Sequence, residues 1–199
     1  MTKSLRDEDL MLEVRDGAGE TLGVLFDRYQ TPLFNFYSKM TGDRILSEDL
    51  VQEVFLRILK YRQSYTPGTP FRSWMYQIAR NARLDHFRKQ RRETSWNAEM
   101  EPRVPAGDAA QKKQEAALLH RALMQLPEEK REVLVLSRFQ ELKHDEIAKL
   151  VGCDVGAVKV RVHRALQELK QVFYRLQSNR PTKAADPRSE NRFATGSSQ

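Results

Sequence analysis

Apolar residues recur at three- and four-residue spacing along most of the chain, which is the period of an amphipathic helix. Two such stretches, 4–16 and 20–41, are separated by the glycine-containing segment 16–19, and Pro32 is expected to kink or break the second. No alternation of apolar and polar residues extends beyond about four positions, so no strand is predicted. The pattern therefore predicts an all-α fold.

A helix predicted over 71–92 has an apolar stripe on one face and cations on another. The apolar positions are Phe71, Trp74, Met75, Ile78 and Ala82. The polar face combines Asn81, Asp85, Arg88 and Arg92. Six Lys or Arg and one acid lie between Arg80 and Arg92. Such a helix can pack on a core and face a polyanion, and an ordinary solvated surface is the plainer alternative.

The preceding helix is predicted to begin at Ser47, a residue type that favours helix N-caps. Its inward positions are predicted to be Leu50, Val51, Val54, Phe55, Ile58 and Leu59. Its outward positions are then Asp49, Gln52, Glu53 and Leu56. An acidic pair beside an exposed leucine suggests a docking surface, and ordinary surface is an equally good interpretation at this stage.

The segment 61–70 is predicted to be a loop because Pro67-Gly68 favours a turn and Pro70 prevents helix before Phe71. Aromatic and basic residues alternate in and around this loop. Tyr61, Tyr65 and Phe71 with nearby arginines suggest a platform on which bases stack beside phosphate contacts. Some of the rings must belong to the core, and Trp74 is the first choice for that position.

A linker is predicted over 93–110, where the helical pattern disappears among proline, glycine and small residues. The chain is thus divided into domains at 5–92 and 111–176, followed by a polar tail, 177–199, that is expected to be disordered. The linker is long enough to allow the two domains to lie apart.

The second domain contains the spacing of a helix-turn-helix. Ala148 allows close helix crossing, Gly152 suits a left-handed turn, Asp154 can cap the next helix, and Val158 fills the space between the helices. The outward residues of that helix are predicted to be Gly156, Lys159, Val160, His163, Arg164 and Gln167. An exposed helical N-terminal half with flanking cations is typical of insertion into a DNA major groove.

Composition agrees with a nucleic-acid partner. The formal net charge is +7 and the pI is about 9.6, which favours a polyanionic partner. One cysteine, Cys153, excludes an internal disulfide and a multi-cysteine zinc site. The sequence shows no membrane-spanning apolar run and no signal-peptide core at its charged N-terminus, so a cytoplasmic location is expected. Neither a cofactor nor a metal is predicted.

Four segments in a fixed order carry a family resemblance. They are EDLVQEVFLRI (48–58), FRSWMYQIARNARLDHFRK (71–89), LPEEKREVLVL (126–136) and EIAKLVGCDVGAVKVRVHRAL (146–166). In this order they resemble the extracytoplasmic-function (ECF) group of the sigma-70 family of bacterial transcription initiation factors, over about residues 5–176. The resemblance implies two helical domains, regions 2 and 4, joined by a flexible linker.

The resemblance also implies roles for individual positions. Docking on the β′ clamp helices of core RNA polymerase would fall to Asp49, Gln52, Glu53 and Leu56. Contacts to the promoter −10 element would come from Tyr61, Tyr65, Phe71, Arg80, Asn81, Asp85 and Arg88. Contacts to the −35 element would come from Gly156, Lys159, Val160, Arg161 and Arg164. Region 4 would rest on the β flap, and an anti-sigma factor would control a protein that is monomeric when free.

Two positions depart from the family pattern. Ala157 and Val160 stand where the family often has hydroxyl residues, and Val160 is expected to contact a thymine methyl instead. Three other functions compete with this interpretation: a stand-alone helix-turn-helix regulator, an enzyme, and a helical adaptor for an acidic protein. The first leaves the N-terminal half unexplained, and no HExxH, P-loop or dinucleotide-binding motif supports the second.

Overall fold

The structure is a computed structural model that describes residues 5–93 and 110–178. In these ranges the chain forms eight α-helices and no strand, so the all-α prediction is confirmed. A 3₁₀ turn, Arg62–Ser64, follows the third helix. The helices are α1 Asp7–Arg15, α2 Thr21–Thr41, α3 Arg44–Tyr61, α4 Phe71–Glu93, α5 Ala110–Met124, α6 Glu128–Arg138, α7 His144–Val151 and α8 Val155–Ser178.

The predicted linker and tail lie almost wholly outside the described residues. Glu93 and Ala110 are the last and first residues of α4 and α5. Gln177 and Ser178 are the end of α8. The expectations of a flexible linker and a disordered tail therefore remain predictions.

Helices α1 to α4 form the first domain and supply most of the larger apolar cluster. Apolar residues at three- and four-residue spacing form one apolar face on each helix, and these faces pack together. Complete burial is reached at Phe36, Tyr37, Ile58 and Met75. The predicted break at Pro32 is absent, since α2 runs from Thr21 to Thr41 as one element. Buried Tyr29 and Leu33 on either side of the proline hold that part of the helix against the core.

The start of α3 corrects the predicted N-cap. Asp43 caps the helix, and its carboxylate accepts a hydrogen bond from the Leu46 amide at 3.0 Å. Ser47 lies one turn inside the helix, is fully buried, and donates its hydroxyl to the Asp43 carbonyl. Asp43 and Ser47 are both good capping residues, so the sequence offered two possible starts for α3. At the other end of the helix, Leu59 was predicted to face inward but is exposed.

Helices α5 to α8 form the second domain, in which the predicted helix-turn-helix is confirmed. Gly152 ends α7 with a φ of 71°, a left-handed conformation that glycine adopts at little cost. The Asp154 carboxylate accepts a hydrogen bond from the Ala157 amide at 2.8 Å and so caps α8. Ala148 and Val158 are buried where the two helices meet.

The two domains pack against each other. Helix α2 contacts α5 and α6, and α4 contacts α7, so that one apolar cluster includes residues of both domains. Hydrogen bonds cross the same boundary. Arg131 donates to the Met40 carbonyl at 2.9 Å, and the Ser73 hydroxyl donates to the Glu146 carboxylate at 2.6 Å. The protein is therefore seen in a closed arrangement, with the first half of α4 lying against the second domain.

Candidate nucleic-acid and polymerase interface

The outward face of α3 has the character predicted for a docking surface. Asp49 and Gln52 are exposed, and Leu56 has 63% of its surface exposed, an unusual position for a leucine. Ile45, at the start of the same helix, is 72% exposed and was not predicted. A groove of about 310 Å³ runs beside this face between α2 and α3, and Phe26, Phe34, Val51 and Gln52 are among its walls. The face thus combines carboxylates with an apolar strip.

Glu53 differs from its neighbours because it is held in an ion pair. Its carboxylate accepts a hydrogen bond from Arg57 Nε at 2.6 Å, and Arg57 also donates to Asp85 on α4 at 2.7 Å. Burial lowers the pKa of Arg57, but its bonds to Glu53 and Asp85 outweigh burial and leave the pKa raised. Arg57 therefore links the docking face of α3 to the polar face of α4.

The loop between α3 and α4 does not present the predicted row of aromatic rings. Tyr61 is 46% exposed, whereas Tyr65 and Phe71 are buried. The Tyr65 hydroxyl donates to the Thr69 carbonyl at 2.5 Å, and burial raises the pKa of Tyr65 to about 12. Tyr65 and Phe71 cannot stack on bases in this conformation, because their rings pack on the half-buried Trp74 and on Tyr29.

The polar face of α4 is partly occupied by the second domain. Asn81 and Arg88 are exposed, as predicted. Arg80, however, donates from Nε to the Glu132 carboxylate on α6 at 3.1 Å. Asp85 is shared between Arg57 and Arg88, whose guanidinium lies 3.7 Å away. The face that was predicted to meet DNA is thus already engaged at two of its charged positions.

Arg83 holds the centre of the boundary between the domains. It is 2% exposed, and its guanidinium contacts Glu128 at 2.7 Å and Glu132 at 3.3 Å. Seven residues earlier on α4, the Tyr76 hydroxyl donates to the Gln140 side chain at 2.6 Å. Buried charges of this kind are tolerated because each has an oppositely charged partner. The N-terminal half of α4 is consequently joined to α6 and to the segment after it.

The predicted face of α8 is open. Gly156, Lys159, Arg161 and Arg164 are exposed, and 49% of the Val160 surface is accessible. Val158, Val162 and Ala165 face the core and fix the rotation of the helix. The outward residues form a basic strip around an apolar spot, which suits phosphate contacts beside a base edge.

Comparison with known proteins defines the family. Residues 25–93 match the model of Sigma-70 region 2, and residues 116–169 match that of Sigma-70, region 4. The RNA polymerase sigma factor CarQ of Myxococcus xanthus is 33% identical over 84% of this chain and 97% of its own length. The chain belongs to the ECF group of sigma-70 factors. It is thus a transcription initiation factor that works with core RNA polymerase at promoter DNA, and not an enzyme.

Other matches agree with this assignment. The ECF sigma factor RpoE of Cereibacter sphaeroides is 30% identical over 81% of this chain and 92% of its own length. A solved structure of CnrH in complex with the cytosolic domain of CnrY has a TM-score of 0.67 at 24% identity, covering 85% of this chain and 97% of that one. RpoE bound to the anti-sigma factor NepR from Bartonella quintana gives 0.65 at 24% identity, covering 79% and 98%. These two likenesses support the fold.

The sigma factor has no helix in the described ranges that is long and apolar enough to cross a bilayer. Sequence reasoning missed several residues that organise its surfaces, namely Ile45, Arg57, Arg83, Glu132 and Gln140. A signal for Arg83 was present, since it follows the buried Tyr76 and Ala79 by seven and four residues and so falls on their face of α4. No comparable signal pairs it with Glu132, because that contact joins two domains.

Proposed function

We propose that the sigma factor docks on the β′ clamp helices of core RNA polymerase through Asp49, Gln52, Glu53 and Leu56 of α3. The exposure of Leu56 between acidic and amide side chains is the observation that carries this proposal. An apolar centre with a polar rim is the usual anatomy of a protein interface. Ile45 and the adjoining groove extend the same surface. To contact polymerase, the Glu53 carboxylate must either release Arg57 or bind Arg57 and polymerase at the same time.

The −10 element is proposed to lie along the outer side of α4. Asn81, Asp85 and Arg88 support this role by their exposure, and Arg80 joins them once Glu132 moves away. Of the loop aromatics, Tyr61 is proposed to receive a base because its side chain is exposed, while Tyr65 and Phe71 are buried behind the loop. These two reach DNA only if the loop rearranges on polymerase.

The −35 element is proposed to be read by the N-terminal half of α8, with region 4 resting on the β flap. Lys159, Arg161 and Arg164 contact phosphates or base edges, Gly156 allows close approach, and Val160 contacts a thymine methyl. A stand-alone helix-turn-helix regulator would use the same helix. The match of residues 25–93 to region 2 favours the sigma factor over that alternative.

Energetics require polymerase to take part in promoter opening. Extrusion of a base from the duplex costs a few kcal/mol, and stacking on one aromatic ring returns roughly 1–3 kcal/mol. One captured base therefore roughly balances its own extraction, so the free factor does not melt DNA. We also propose a cytoplasmic site of action, a monomeric free form, and control by an anti-sigma factor, as in the RpoE–NepR complex.

The docking proposal is tested with Asp49→Lys combined with Leu56→Ser. Both side chains are exposed and neither takes part in the Glu53–Arg57–Asp85 ion pairs, so the fold should survive. Loss of the apolar contact and reversal of a charge at an interface centre should weaken binding to purified core polymerase by at least tenfold. Binding is measured by fluorescence anisotropy of the labelled factor, and run-off transcription should fall with it.

A matched control uses Asp27→Lys with Val24→Ser on α2. Asp27 and Val24 are also an exposed acid and an exposed apolar residue of region 2, but they lie outside the proposed surface. The control should bind core polymerase like the unchanged protein. Equal binding by all three proteins would remove the α3 face from the interface.

A further inference from the structure

A basic cleft lies where the end of α2, the last turns of α4 and the start of α6 meet. Its volume is about 430 Å³, within the size range of small-ligand sites. The residues that give it its character are Arg83, Arg88, Arg91, Arg131, Glu128 and Phe87. Because α4 belongs to region 2 and α6 to region 4, the cleft is built by both domains.

The charges of the cleft are unbalanced. Four arginines and one glutamate line it, which gives the wall a net formal charge of +3. Two of these arginines also have a carboxylate behind the wall, since Arg83 contacts Glu132 and Arg88 contacts Asp85. The glutamate of the wall is Glu128, which contacts Arg83 at 2.7 Å and whose side chain is 55% exposed. An entering anion can therefore replace the Glu128 carboxylate, which is free to turn into solvent. Cations gathered in a partly enclosed site raise the local concentration of anions.

Two of the arginines also have unused hydrogen-bond donors. The Nε atoms of Arg83 and Arg131 are buried and have no partner among the described residues. Arg131 uses its terminal nitrogens for the Met40 and Leu126 carbonyls at 2.9 and 3.4 Å. A buried donor without a partner is costly, by about 1–3 kcal/mol. Because these Nε atoms are buried, an oxyanion in the cleft supplies them with acceptors only after the Arg83 and Arg131 side chains shift towards it.

The electrostatic environment of Arg131 agrees with this reasoning. Burial lowers the pKa of Arg131, while Glu128 raises it by more than the nearby Arg83 cation lowers it. Arginine stays charged at neutral pH even so. Two guanidinium groups are therefore held near each other at the boundary between the domains, where Glu128, one of the two carboxylates beside Arg83, is 55% exposed.

We propose that this cleft binds a compact, multiply charged phosphate anion: inorganic pyrophosphate or the di- or triphosphate group of a nucleotide. One planar guanidinium group can bind two phosphate oxygens at once. Arg88, Arg91 and Arg131 are the more accessible arginines of the cleft, whereas Arg83 is almost fully buried. The anion contacts α4 and α6 together, so it binds the closed arrangement better than an open one and shifts the population towards closure. Arg88 is shared with the proposed −10 surface, and the other residues of the cleft lie outside the proposed promoter and polymerase contacts.

The binding test uses the full chain, magnesium-free buffer of fixed ionic strength, and isothermal titration with pyrophosphate and, separately, ATP. Arg91→Gln removes a cation that lines the cleft, and Arg92→Gln removes the next residue, also exposed on α4 but outside the lining. Arg91→Gln should weaken pyrophosphate binding about tenfold, and Arg92→Gln less than twofold. Binding of pyrophosphate alone identifies the free anion, and binding of both identifies the shared phosphate group.

Three results would overturn the proposal. The first is that neither anion binds the unchanged protein. The second is an equal loss in Arg91→Gln and Arg92→Gln, which would indicate general attraction to a basic helix. The third is that a single-stranded DNA oligonucleotide binds in an Arg91-dependent way while pyrophosphate does not, which would assign the cleft to a nucleic-acid backbone.

Hydrogen exchange tests the bridging role separately. Saturating pyrophosphate should slow amide exchange both in the last turns of α4 and at the start of α6, because the ligand holds these two helices together. Slower exchange in one helix alone would contradict a site shared by the two domains. Neither readout requires polymerase or promoter DNA, so failure here leaves the proposed promoter function untouched.

Discussion

The two helices proposed to read DNA are prepared very differently. In α8 the cations Lys159, Arg161 and Arg164 are exposed and form no ion pair with any described residue. In α4, Arg80 is bound to Glu132 of region 4, and Asp85 is bound to Arg57 of α3. One surface is thus ready for DNA, whereas the other is connected both to the second domain and to the helix proposed to dock on polymerase.

This difference suggests an order of events. The proposed −35 surface needs no rearrangement within the protein, while full use of the proposed −10 surface requires the Arg80–Glu132 contact to break. The Glu53–Arg57–Asp85 ion pairs place a single arginine between the proposed polymerase and −10 surfaces. A polymerase that engages Glu53 would therefore alter the partner of Asp85 on α4.

The largest effect on the engaged face of α4 is expected at Glu132, which is almost fully buried and pairs with Arg80 and Arg83. Removal of one partner from a buried ion pair costs about 3–5 kcal/mol. Glu132→Gln should therefore destabilise the closed arrangement by up to about this amount, and the domains can relieve the cost by separating so that Arg83 meets water. Small-angle scattering should show a larger radius of gyration.

The control replaces both buried charges, as Arg83→Met with Glu132→Leu. The remaining partners, Arg80 and Glu128, are 26% and 55% exposed and can turn to water. Apolar residues of similar volume can replace a buried ion pair without loss of stability, so this variant should remain as compact as the unchanged protein. If Glu132→Gln were equally compact and equally resistant to urea, the ion pairs would not be what holds α4 against region 4.

The open surface gives a smaller expected effect. Arg164→Ala should weaken binding of the reconstituted holoenzyme to −35 DNA and lower the slope of log affinity against log salt by about 1, as expected for one lost phosphate contact. Lys170→Ala, nearly two turns further along α8, is the matched control and should leave the slope unchanged. A change confined to −10 contacts would contradict the proposed assignment of α8.

The sequence predicts most of the architecture because helical periodicity and turn chemistry are local. Gly152 and Asp154 each act within a few residues of their own positions, and both predictions are confirmed. The capping error at Ser47 is also local: Asp43 offers a carboxylate that satisfies the same end of α3 four residues earlier. Single-residue rules cannot rank two adequate caps without the packing around them.

The site was harder to predict because its surfaces depend on contacts between distant segments. Composition predicts an aromatic loop but does not say which rings are buried in the core. Tyr65 and Phe71 are buried more fully than Trp74. Helical spacing places Arg83 on the same face of α4 as Tyr76 and Ala79, but it does not say that a cation can be buried there. The pairing with Glu132, about 50 positions away, gives the reason.

The smallest expected effect concerns His120 on α5, near Lys39 of α2 and Arg131 of α6. Burial, followed by these two cations, lowers the pKa of His120 below its usual value of about 6.5. The unfolded chain then binds a proton more readily than the folded one, so the stability contributed by neutral His120 is complete above about pH 6.5 and is lost as pH falls towards the folded-state pKa. Urea unfolding between pH 5 and 8 should show this decline in stability, and the decline should be weaker in His120→Gln.

The control is His86→Gln, which removes an exposed imidazole of α4 and should keep the pH response of the unchanged protein. An identical decline in all three proteins would mean that proton uptake elsewhere, and not at the contact between α5 and α2, sets the pH dependence of folding.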